Sequence, residues 1–354
     1  MKEWKEYKMG DVFAYLKSGK GIHANEISPK GEYPVFGGNG LRGYTTRNNF
    51  EGDCAIIGRQ GAFCGNVRYF KGKAYMTEHA IIAVANENNS TRFLAYLLSI
   101  MNLGRFSSQS AQPGLSVTEL AKQSIKIPSL SVQKKIADIL SSLDSKIELN
   151  RRINDNLEQQ AQALFKAWFV DFEPWGGVMP NDWLVGTLSE LATVKYGKDH
   201  KSLADGKYPV YGSGGIMRYA EKAIYNQESV LIPRKGTLNN IMYVDDPFWS
   251  VDTMFYTEML KPNLTKYLYL RLKLIDFEAM NSGSAIPSMT TQILNSLPII
   301  IPSINVLADF ENILQPIFQN YKIVNKESKQ LAETRNTLLP KLMSGELKIN
   351  DLNC

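Results

Sequence analysis

The sequence is poor in the residues that metal and redox sites require. Its 354 residues include three cysteines and three histidines. Cys54, Cys64 and Cys354 form no CxxC pair and have no nearby histidine pair, and the histidines themselves are scattered. We therefore expect free, structurally incidental thiols, no disulfide framework and no metal site. The scattered histidines give equally little support for acid–base catalysis, so no catalytic residue is assigned.

Long apolar runs are absent as well. No stretch approaches the roughly 20 consecutive apolar residues that a membrane span needs. The opening MKEWKEYKMGDVF has no apolar signal region. The sequence predicts a soluble, cytoplasmic protein with no membrane partner, and its apolar fraction of 44% is sufficient for ordinary hydrophobic cores.

Motifs for nucleotide and cofactor binding are also missing. No GxxxxGK[ST] phosphate loop occurs, which argues against ATP hydrolysis by this chain. Residues 38–43 (GNGLRG) spell GxGxxG, but the following YTTRNN is a poor helix start, so a dinucleotide or S-adenosylmethionine site is not expected. Residues 246–248 (DPF) lack one proline of the Asn/Asp-Pro-Pro-aromatic motif of amino-methylating DNA methyltransferases. We expect no cofactor on this chain.

The sequence does contain a long heptad-like pattern between residues 131 and 172. Apolar residues recur there at four-three spacing, which predicts a helix of about 37 residues and about 55 Å. The same pattern returns 174 positions later, near the C-terminus. The two apolar seams predict a helix–helix interface of Ile136, Leu140, Leu143, Ile147, Leu157, Leu164, Phe310, Leu314, Ile317, Tyr321, Leu331 and Leu338.

Polar residues and prolines interrupt this pattern. Asn150 and Asn154 lie on the first seam, either as part of a solvated mid-helix face or as polar residues that fix register between two antiparallel helices. Pro316 and Pro340 lie inside the second pattern. We expect a kink or a late helix start at Pro316 and a helix stop near Pro340.

The regions before the two helices also repeat. Trp4 is echoed by Trp183, the YPVFG beginning at Tyr33 by the YPVYG at Tyr208, and residues 110–113 (SAQP) by 284–287 (SAIP). Matching order and spacing across a whole half indicate duplication. In the first copy, short segments separated by Gly, Asn and Ser predict strands at 33–36, 54–58, 65–69 and 80–84, and a helix is expected at 91–101. The residues between the shared positions have diverged.

These patterns define the expected architecture. The fold class is α+β, with two similar mixed α/β domains, separated by two long antiparallel helices that form a coiled coil with an internal pseudo-two-fold repeat. We expect a first domain at 1–128, the central helix at 129–173, a second domain at 174–302, and a C-terminal helix and tail at 303–354. A Pro-Trp-Gly-Gly break after residue 173 marks the linker.

Polar residues in matching loops are the candidates for binding a polyanion. The net charge of +5 permits such a partner without requiring one. Arginine can read guanine, glutamine can read adenine, and either can hold phosphate. The alternative is that these are solvated turn residues or form ion pairs within a domain. The predicted DNA-binding residues are Arg42, Arg59, Gln60, Arg218, Arg234, Lys235, Asn239 and Asn240.

Taken together, the chain resembles the DNA-sequence specificity (S) subunits of type I restriction-modification systems. The resemblance rests on the two diverged halves, the Tyr-Pro turns at Tyr33 and Tyr208, the segment 127–174 (IPSLSVQKKIADIL…WFVDFEP) and residues 337–347 (TLLPKLMSGEL). It implies two target-recognition domains that each read one half of a bipartite site in double-stranded DNA. It also implies helices that set the spacer, docking of two methyltransferase (M) subunits, and restriction (R) subunits.

Under this resemblance the chain is not an enzyme. S-adenosylmethionine and ATP with Mg²⁺ are expected on the partner subunits. Two other interpretations are a self-sufficient DNA methyltransferase or nuclease, which would bind S-adenosylmethionine alone, and a coiled-coil scaffold whose domains bind protein. The family does not specify which side chains touch bases, because those are the divergent ones.

Overall fold

A computed structural model describes residues 4–107, 114–280 and 288–349 of the chain. The chain divides into two compact units, Met1–Asn150 with Glu327–Cys354, and Arg151–Lys326. Each unit therefore contains one globular domain and part of each long helix. The repeated segments at 110–113 and 284–287 lie outside the described residues.

The first unit is built mainly from short strands and one medium helix. Its strands are β1 (Lys5–Lys8), β2 (Phe13–Ser18), β3 (Tyr33–Gly37), β4 (Gly40–Thr45), β5 (Phe50–Gly58), β6 (Val67–Met76), β7 (Ala80–Ala85) and β8 (Ser124–Ile127). Its helices are α1 (Met9–Val12), α2 (Thr91–Ile100) and α3 (Val117–Ala121), with 3-10 turns at Ala24–Glu26 and Leu103–Phe106. The strands predicted around Tyr33, Cys54, Val67 and Ile81, and the helix at Thr91, are confirmed.

The strands of the first unit form a six-stranded sheet of order β2-β7-β5-β6-β3-β4 and a β1-β8 pair. Only β3 and β6 pair in parallel in the described part of this sheet. The apolar face of α2, capped by Ser90, packs on the sheet through Phe93, Leu94 and Leu98, which are fully buried. This core supports the loops at the sheet edge.

The second unit repeats the same succession of elements. Its strands are β9 (Leu184–Thr187), β10 (Ala192–Tyr196), β11 (Asp205–Gly212), β12 (Gly215–Ala220), β13 (Ser229–Pro233), β14 (Met242–Val244), β15 (Trp249–Ser250), β16 (Met254–Met259) and β17 (Pro298–Ile301). Its short helices are α5 (Thr265–Lys273) and α6 (Thr291–Asn295), with 3-10 turns at Glu173–Trp175 and Leu188–Glu190.

Strand pairing shows that the two units share one plan. The pairing of Lys5 with Ile127 is matched by that of Leu184 with Ile301, and the parallel pairing of Val35 with Tyr75 by that of Val210 with Trp249. The units differ at β6, which is one strand of ten residues, whereas its counterpart is split into β14 and β15. Pro247 lies in that break and cannot donate to a strand ladder. The predicted duplicated α+β fold is confirmed.

The two long helices are α4 (Leu130–Phe169, 40 residues) and α7 (Ile304–Ser344, 41 residues), each about 60 Å long. Pro316 lies well inside α7, so a late helix start at this proline was wrong, whereas the helix ends at Ser344, shortly after Pro340, as a stop near that proline predicted. Each proline removes one backbone hydrogen bond. Packing of Leu314 and Leu342, both fully buried next to these prolines, offsets that loss.

Within the first unit, the described parts of α4 and α7 run antiparallel. Arg335 Nη1 donates to Asp144 Oδ1 at 2.7 Å, and Asn150 Nδ2 donates to Glu327 Oε2 at 2.7 Å. Asp144 also accepts a hydrogen bond from the Tyr96 hydroxyl of α2. These contacts tie the helical segment of this unit to its sheet domain.

Within the second unit, α4 and α7 run antiparallel as well. Asn154 Nδ2 donates to Asn325 Oδ1 at 2.8 Å. Further along, Phe165 and Phe169 of α4 pack on Phe310 of α7, with ring centroids 6.2 and 4.7 Å apart. Tyr267 of α5 completes this aromatic core. No described helix is long and apolar enough to cross a membrane.

Candidate nucleic-acid interface

Three loops meet at one edge of the first domain. They are the β3–β4 turn at Gly38, the segment after β5 at Arg59 and Gln60, and the β6–β7 turn at Glu78 and His79. The Arg59 N–H donates to His79 O at 2.9 Å, and a Cβ added to Gly38 would lie 3.0 Å from the same oxygen. The lack of a side chain at Gly38 therefore lets the turn approach the other two loops closely.

The second domain brings the corresponding loops together. The Arg234 N–H donates to Thr253 O at 2.9 Å. Asn240 Nδ2 donates to Ser213 O at 2.7 Å, which attaches the β11–β12 turn to the loop after β13. A Cβ added to Gly236, whose φ is +87°, would lie 2.6 Å from Ser213 Oγ, so this position favours glycine on both counts.

Arg59 and Arg234 make equivalent hydrogen bonds, and the Arg234 guanidinium also lies 5.4 Å from the centroid of the Tyr196 ring. Arg59 Nη1 donates to Glu78 O at 3.3 Å, and Arg234 Nη1 donates to Asp252 O at 3.4 Å. The Arg59 carbonyl accepts from Leu115 N at 2.8 Å, and the Arg234 carbonyl accepts from Met289 N at 2.9 Å. Duplication has thus preserved the position of this arginine, including the carbonyl to which its guanidinium binds.

The next residue differs between the domains. Gln60 Oε1 lies 2.9 Å from His79 Nδ1, and His79 Nε2 lies 3.2 Å from Glu78 Oε1. Lys235 is exposed, and its side chain has no partner among residues 4–107, 114–280 and 288–349. The backbone is nonetheless equivalent, because Gln60 forms an isolated antiparallel β-bridge with Gly114 and Lys235 forms one with Ser288.

The two glycine-rich turns place their arginines differently. Arg42 is exposed on β4 and forms no ion pair with any described residue. Arg218 is 28% exposed, donates to Leu203 O at 2.7 Å and lies 3.1 Å from Asp205. Arg42 is therefore available to a partner molecule, whereas Arg218 is engaged within its own domain.

Asn239 and Asn240 hold loops of the second domain. Asn239 Nδ2 donates to Asp276 Oδ1 at 3.0 Å, and Asn239 Oδ1 accepts from Phe277 N at 2.7 Å. The hydrogen bond from Asn239 lowers the pKa of the Asp276 carboxyl. These contacts use both ends of the Asn239 amide, and Asn240 is bonded to Ser213 as described above. The nitrogens of both amides are thus engaged, whereas Gln60 Nε2 has no hydrogen-bond partner in the part of the chain that the structure describes.

The GxGxxG stretch is a β-hairpin, as its poor helix start predicted. Residues Tyr33–Gly37 and Gly40–Thr45 are paired strands, and Gly40 has a φ of +104° in the turn between them. A phosphate site of this type needs a helix N-terminus after the glycines, and a strand follows instead.

The predicted helix–helix residues are distributed between the two units. Ile136 and Leu140 are buried near Leu342 and Met343 in the first unit. Phe310 and Leu314 are buried in the second, with Leu164 and Ile317 packed against that core. Tyr321 is 40% exposed, whereas the remaining predicted seam residues are half-buried: Leu143, Ile147, Leu157, Leu331 and Leu338.

Sequence reasoning missed several residues at these helices and loops. Phe165 and Phe169 are buried, and together with Ala161 they recur every four residues, a helical signal that the chosen heptad register passed over. Asn150 and Asn154 are also buried, which favours the register-fixing interpretation over a solvated face. His79 carried no sequence signal, because its relation to Gln60 arises only when β6 and β7 turn back.

The described residues contain no group of three or more His, Cys, Asp or Glu side chains placed to hold a metal ion. The thiols are of two kinds. Cys54 is fully buried, and burial raises its thiol pKa to about 12, which makes it unreactive. Burial also raises the pKa of the half-buried Cys64.

Comparison with known proteins identifies the family. The model of the type I restriction modification DNA specificity domain matches residues 1–159 and 180–333. The chain belongs to this family. It is a type I specificity subunit with two target-recognition domains, and the matched ranges include the two loop clusters described above.

Relatives of this specificity subunit include two curated proteins. The type I restriction enzyme EcoprrI specificity subunit of Escherichia coli is 39% identical over 147 residues, which are 40% of this chain and 36% of that protein. The MjaIX specificity subunit of Methanocaldococcus jannaschii is 28% identical over 305 residues, covering 74% of this chain and 70% of the relative. The chain thus spans about a third of the first relative and most of the second.

A solved structure has the same fold. The crystal structure of a type I restriction-modification S subunit from M. genitalium superposes with a TM-score of 0.66 and 22% sequence identity, covering 96% of each chain. At this identity the similarity supports the duplicated fold of the specificity subunit, and the roles of individual loop residues are argued from the contacts above.

Proposed function

We propose that each domain of this specificity subunit reads one half of a bipartite DNA target and that the chain itself catalyses no reaction. The observation that carries the proposal is the duplicated loop cluster at Arg59 and Arg234. Two domains with one backbone plan and unlike neighbouring residues, Gln60 and Lys235, suit two half-sites of different sequence.

The chemistry of these loops suits a duplex. Arginine side chains and exposed backbone N–H groups are the usual partners of phosphate oxygens, and Gln and Lys can reach base edges in the major groove. Arg42, Arg59 and Arg234 supply positive charge beside glycine turns that allow close approach. Binding should therefore weaken with salt, because each neutralised phosphate releases counterions.

The long helices are proposed to set the distance between the half-sites. Half-sites on one face of a duplex are about 34 Å apart per helical turn. A helix of 40 residues extends about 60 Å, which is enough to hold two readers at such a separation. Buried polar contacts at Asn150 and Asn154 support a fixed register in this part of the chain.

The same helices are proposed to receive the catalytic partners. Large apolar side chains remain exposed along them, including Leu149, Ile153, Ile313 and Ile323. Contiguous exposed apolar surface is typical of protein interfaces. We propose that two methyltransferase subunits dock here, one for each copy of the repeat, followed by restriction subunits, and that S-adenosylmethionine, ATP and Mg²⁺ act on those partners.

DNA footprinting of this chain with its cognate methyltransferase subunits tests the proposal. We expect two protected segments separated by an unprotected spacer, with an affinity that falls steeply as salt is raised. S-adenosylmethionine bound by the isolated chain would support a self-sufficient enzyme instead. Failure of the complete complex to bind DNA at any salt concentration would support the protein scaffold.

A further inference from the structure

The two loop clusters have one contact in common and one that differs between the domains. Arg59 and Arg234 bind equivalent carbonyls, those of Glu78 and Asp252, at 3.3 and 3.4 Å. A residue held identically in both domains cannot by itself distinguish two unlike half-sites. The arginine is therefore suited to a task common to both domains, such as holding the DNA backbone.

The variable contact is the one between Gln60 and His79. Its equivalent in the second domain is Lys235 beside Thr253, and these two side chains have no contact with each other among the described residues. The backbone around both pairs is nevertheless the same, since residues 79 and 253 accept from the arginine N–H at 2.9 Å in each domain. The domains thus differ in side-chain chemistry on an equivalent frame.

His79 determines which end of the Gln60 amide faces outward. His79 Nδ1 lies 2.9 Å from Gln60 Oε1, and Glu78 Oε1 lies 3.2 Å from Nε2. An amide oxygen can only accept, so the hydrogen bond to Gln60 is made by the form of His79 that carries a proton on Nδ1. His79 thus takes one of the two lone pairs of the Gln60 oxygen and holds that oxygen toward its own ring, which leaves the two N–H donors of Nε2 as the hydrogen-bonding groups turned to a partner.

A side chain that presents N–H donors favours the bases that show the most acceptors in the major groove. In the major groove guanine shows two acceptors, N7 and O6, and thymine shows the acceptor O4, whereas adenine shows one acceptor, N7, beside its amino donor and cytosine shows only an amino donor. A glutamine that is free at both ends pairs with adenine through N7 and N6, which needs its oxygen. Because His79 holds that oxygen toward its own ring, the contact weakens the usual preference of glutamine for adenine.

We propose that Gln60, held by His79, reads a keto base, guanine or thymine, in the first half-site, and that Lys235 reads the corresponding base in the second. In this assignment, which rests on the proposed function, His79 is a positioning residue for specificity, and Arg59 and Arg234 are anchors common to both domains.

Competition binding by the complex of the full chain with its methyltransferase tests this. Each base pair of both half-sites is replaced in turn, and relative affinities are measured for the wild type and each variant. In the wild type we expect a keto base to be favoured at one position of the first half-site. Gln60→Ala should reduce that discrimination about tenfold or more, leaving the second half-site unchanged.

The variant His79→Ala gives the most specific result. It releases Gln60 Oε1, so we expect adenine to become accepted at the same position, a change that general loosening of the loop does not produce. Thr253→Ala, the matched control in the second domain, should alter no position. Arg59→Ala and Arg234→Ala should each weaken binding by a similar factor for every sequence.

Three results would overturn the assignment. One is a wild-type preference for adenine at the Gln60 position, another is an unchanged preference in Gln60→Ala, and the third is altered reading of both half-sites by His79→Ala. If the proposed function itself were wrong, the wild-type complex would show no bipartite preference at all, which distinguishes that result from the three above. Melting temperatures near the wild-type value establish that these exposed substitutions leave the fold intact.

Discussion

Asn150 of α4 donates a hydrogen bond to Glu327 of α7 across 2.7 Å, and its side chain is fully buried. This hydrogen bond satisfies Nδ2, whereas the buried Oδ1 has no hydrogen-bond partner among the described residues, which costs stability. The contact disfavours any register in which Glu327 moves away. The pair therefore favours one register of α4 against α7 within the first unit.

Replacement of Asn150 by alanine should lower the free energy of unfolding by about 1–3 kcal/mol, because it removes this hydrogen bond and leaves a buried gap. Urea unfolding measures the loss. Asn320→Ala, an exposed substitution on α7, is the matched control and should change the free energy by no more than about 0.5 kcal/mol. Equal effects of the two substitutions would remove the structural role assigned to Asn150.

Lys266 of α5 provides a second test of packing against α7. Its side chain is 2% exposed, contacts Glu311 and lies 3.5 Å from Glu228, with the Tyr243 and Phe318 rings 5.5 and 5.6 Å away. Lys266→Ala leaves Glu311 without its buried partner and should cost about 3–5 kcal/mol. Thermal unfolding is the measurement.

The matched control for Lys266 is Lys122, which is 64% exposed and pairs with Glu119 one helical turn earlier. Lys122→Ala should cost about 0.5 kcal/mol or less, since exposed ion pairs contribute little. A loss for Lys266→Ala as small as that of the control would mean that the buried ammonium is not stabilising.

Alkaline pH should destabilise the second domain through its tyrosines. Burial raises the pKa of Tyr211 to about 12, and burial together with a hydrogen bond to Glu228 raises the pKa of Tyr243. A folded-state pKa above the unfolded value of about 10 means that the neutral phenol is favoured by folding. This contribution to the free energy of unfolding is fully present below about pH 10, and it is lost as the pH rises through the folded-state pKa values of the tyrosines.

Urea unfolding at about pH 8 and about pH 11 should therefore show a lower free energy of unfolding at the higher pH. The part of the tyrosinate absorbance that is lost in Tyr243→Phe should rise with unfolding rather than before it. Tyr243→Phe should reduce the pH dependence, whereas Tyr7→Phe, which alters an exposed tyrosine, should leave it unchanged. Ionisation of the buried tyrosines in the folded protein would contradict this account.

Shortening the helices tests their role as a spacer. Removal of one heptad from α4 (residues 150–156) and the facing heptad from α7 (residues 321–327) shortens the pair by about 10 Å. Because a helical turn of DNA spans about 34 Å and 10 base pairs, the preferred spacer should contract by about three base pairs. The two half-site sequences, read by unaltered loops, serve as the internal control.

An unchanged spacer in the shortened variant would show that the helices do not set the separation. Footprinting or selection from DNA with randomised spacer lengths provides the measurement. If the shortened variant binds no DNA at all, circular dichroism shows whether it is folded. A folded variant that binds no DNA of any spacer length also contradicts the expected contraction.

Much of this fold was predictable because its signals are local and occur twice. The heptad pattern located α4 and α7, and the repeated Tyr-Pro turns at Tyr33 and Tyr208 located equivalent strands. Pro316 misled, because the cost of a proline inside a helix is set partly by packing that the sequence does not display. The predicted helix length was slightly shorter than the observed 40 and 41 residues.

The loop residues were only partly predictable. The offset of 175 between Arg59 and Arg234 is visible in the sequence, but their shared hydrogen bonds to the carbonyls of Glu78 and Asp252 are not. Asn239 resembled a DNA-reading residue by composition, yet its amide holds the loop at Asp276. Partners from distant strands decide such roles, and a linear pattern does not contain them.

Mapping of methylated positions in DNA from cells that carry this chain with its cognate methyltransferase tests the central claim most directly. The account predicts modification within one bipartite motif, two unlike half-sites separated by a spacer of constant length. Substitution of Gln60 should alter only one half-site, and substitution of Lys235 only the other. Methylation at a single uninterrupted motif, or a motif that both substitutions alter in the same half, would contradict it.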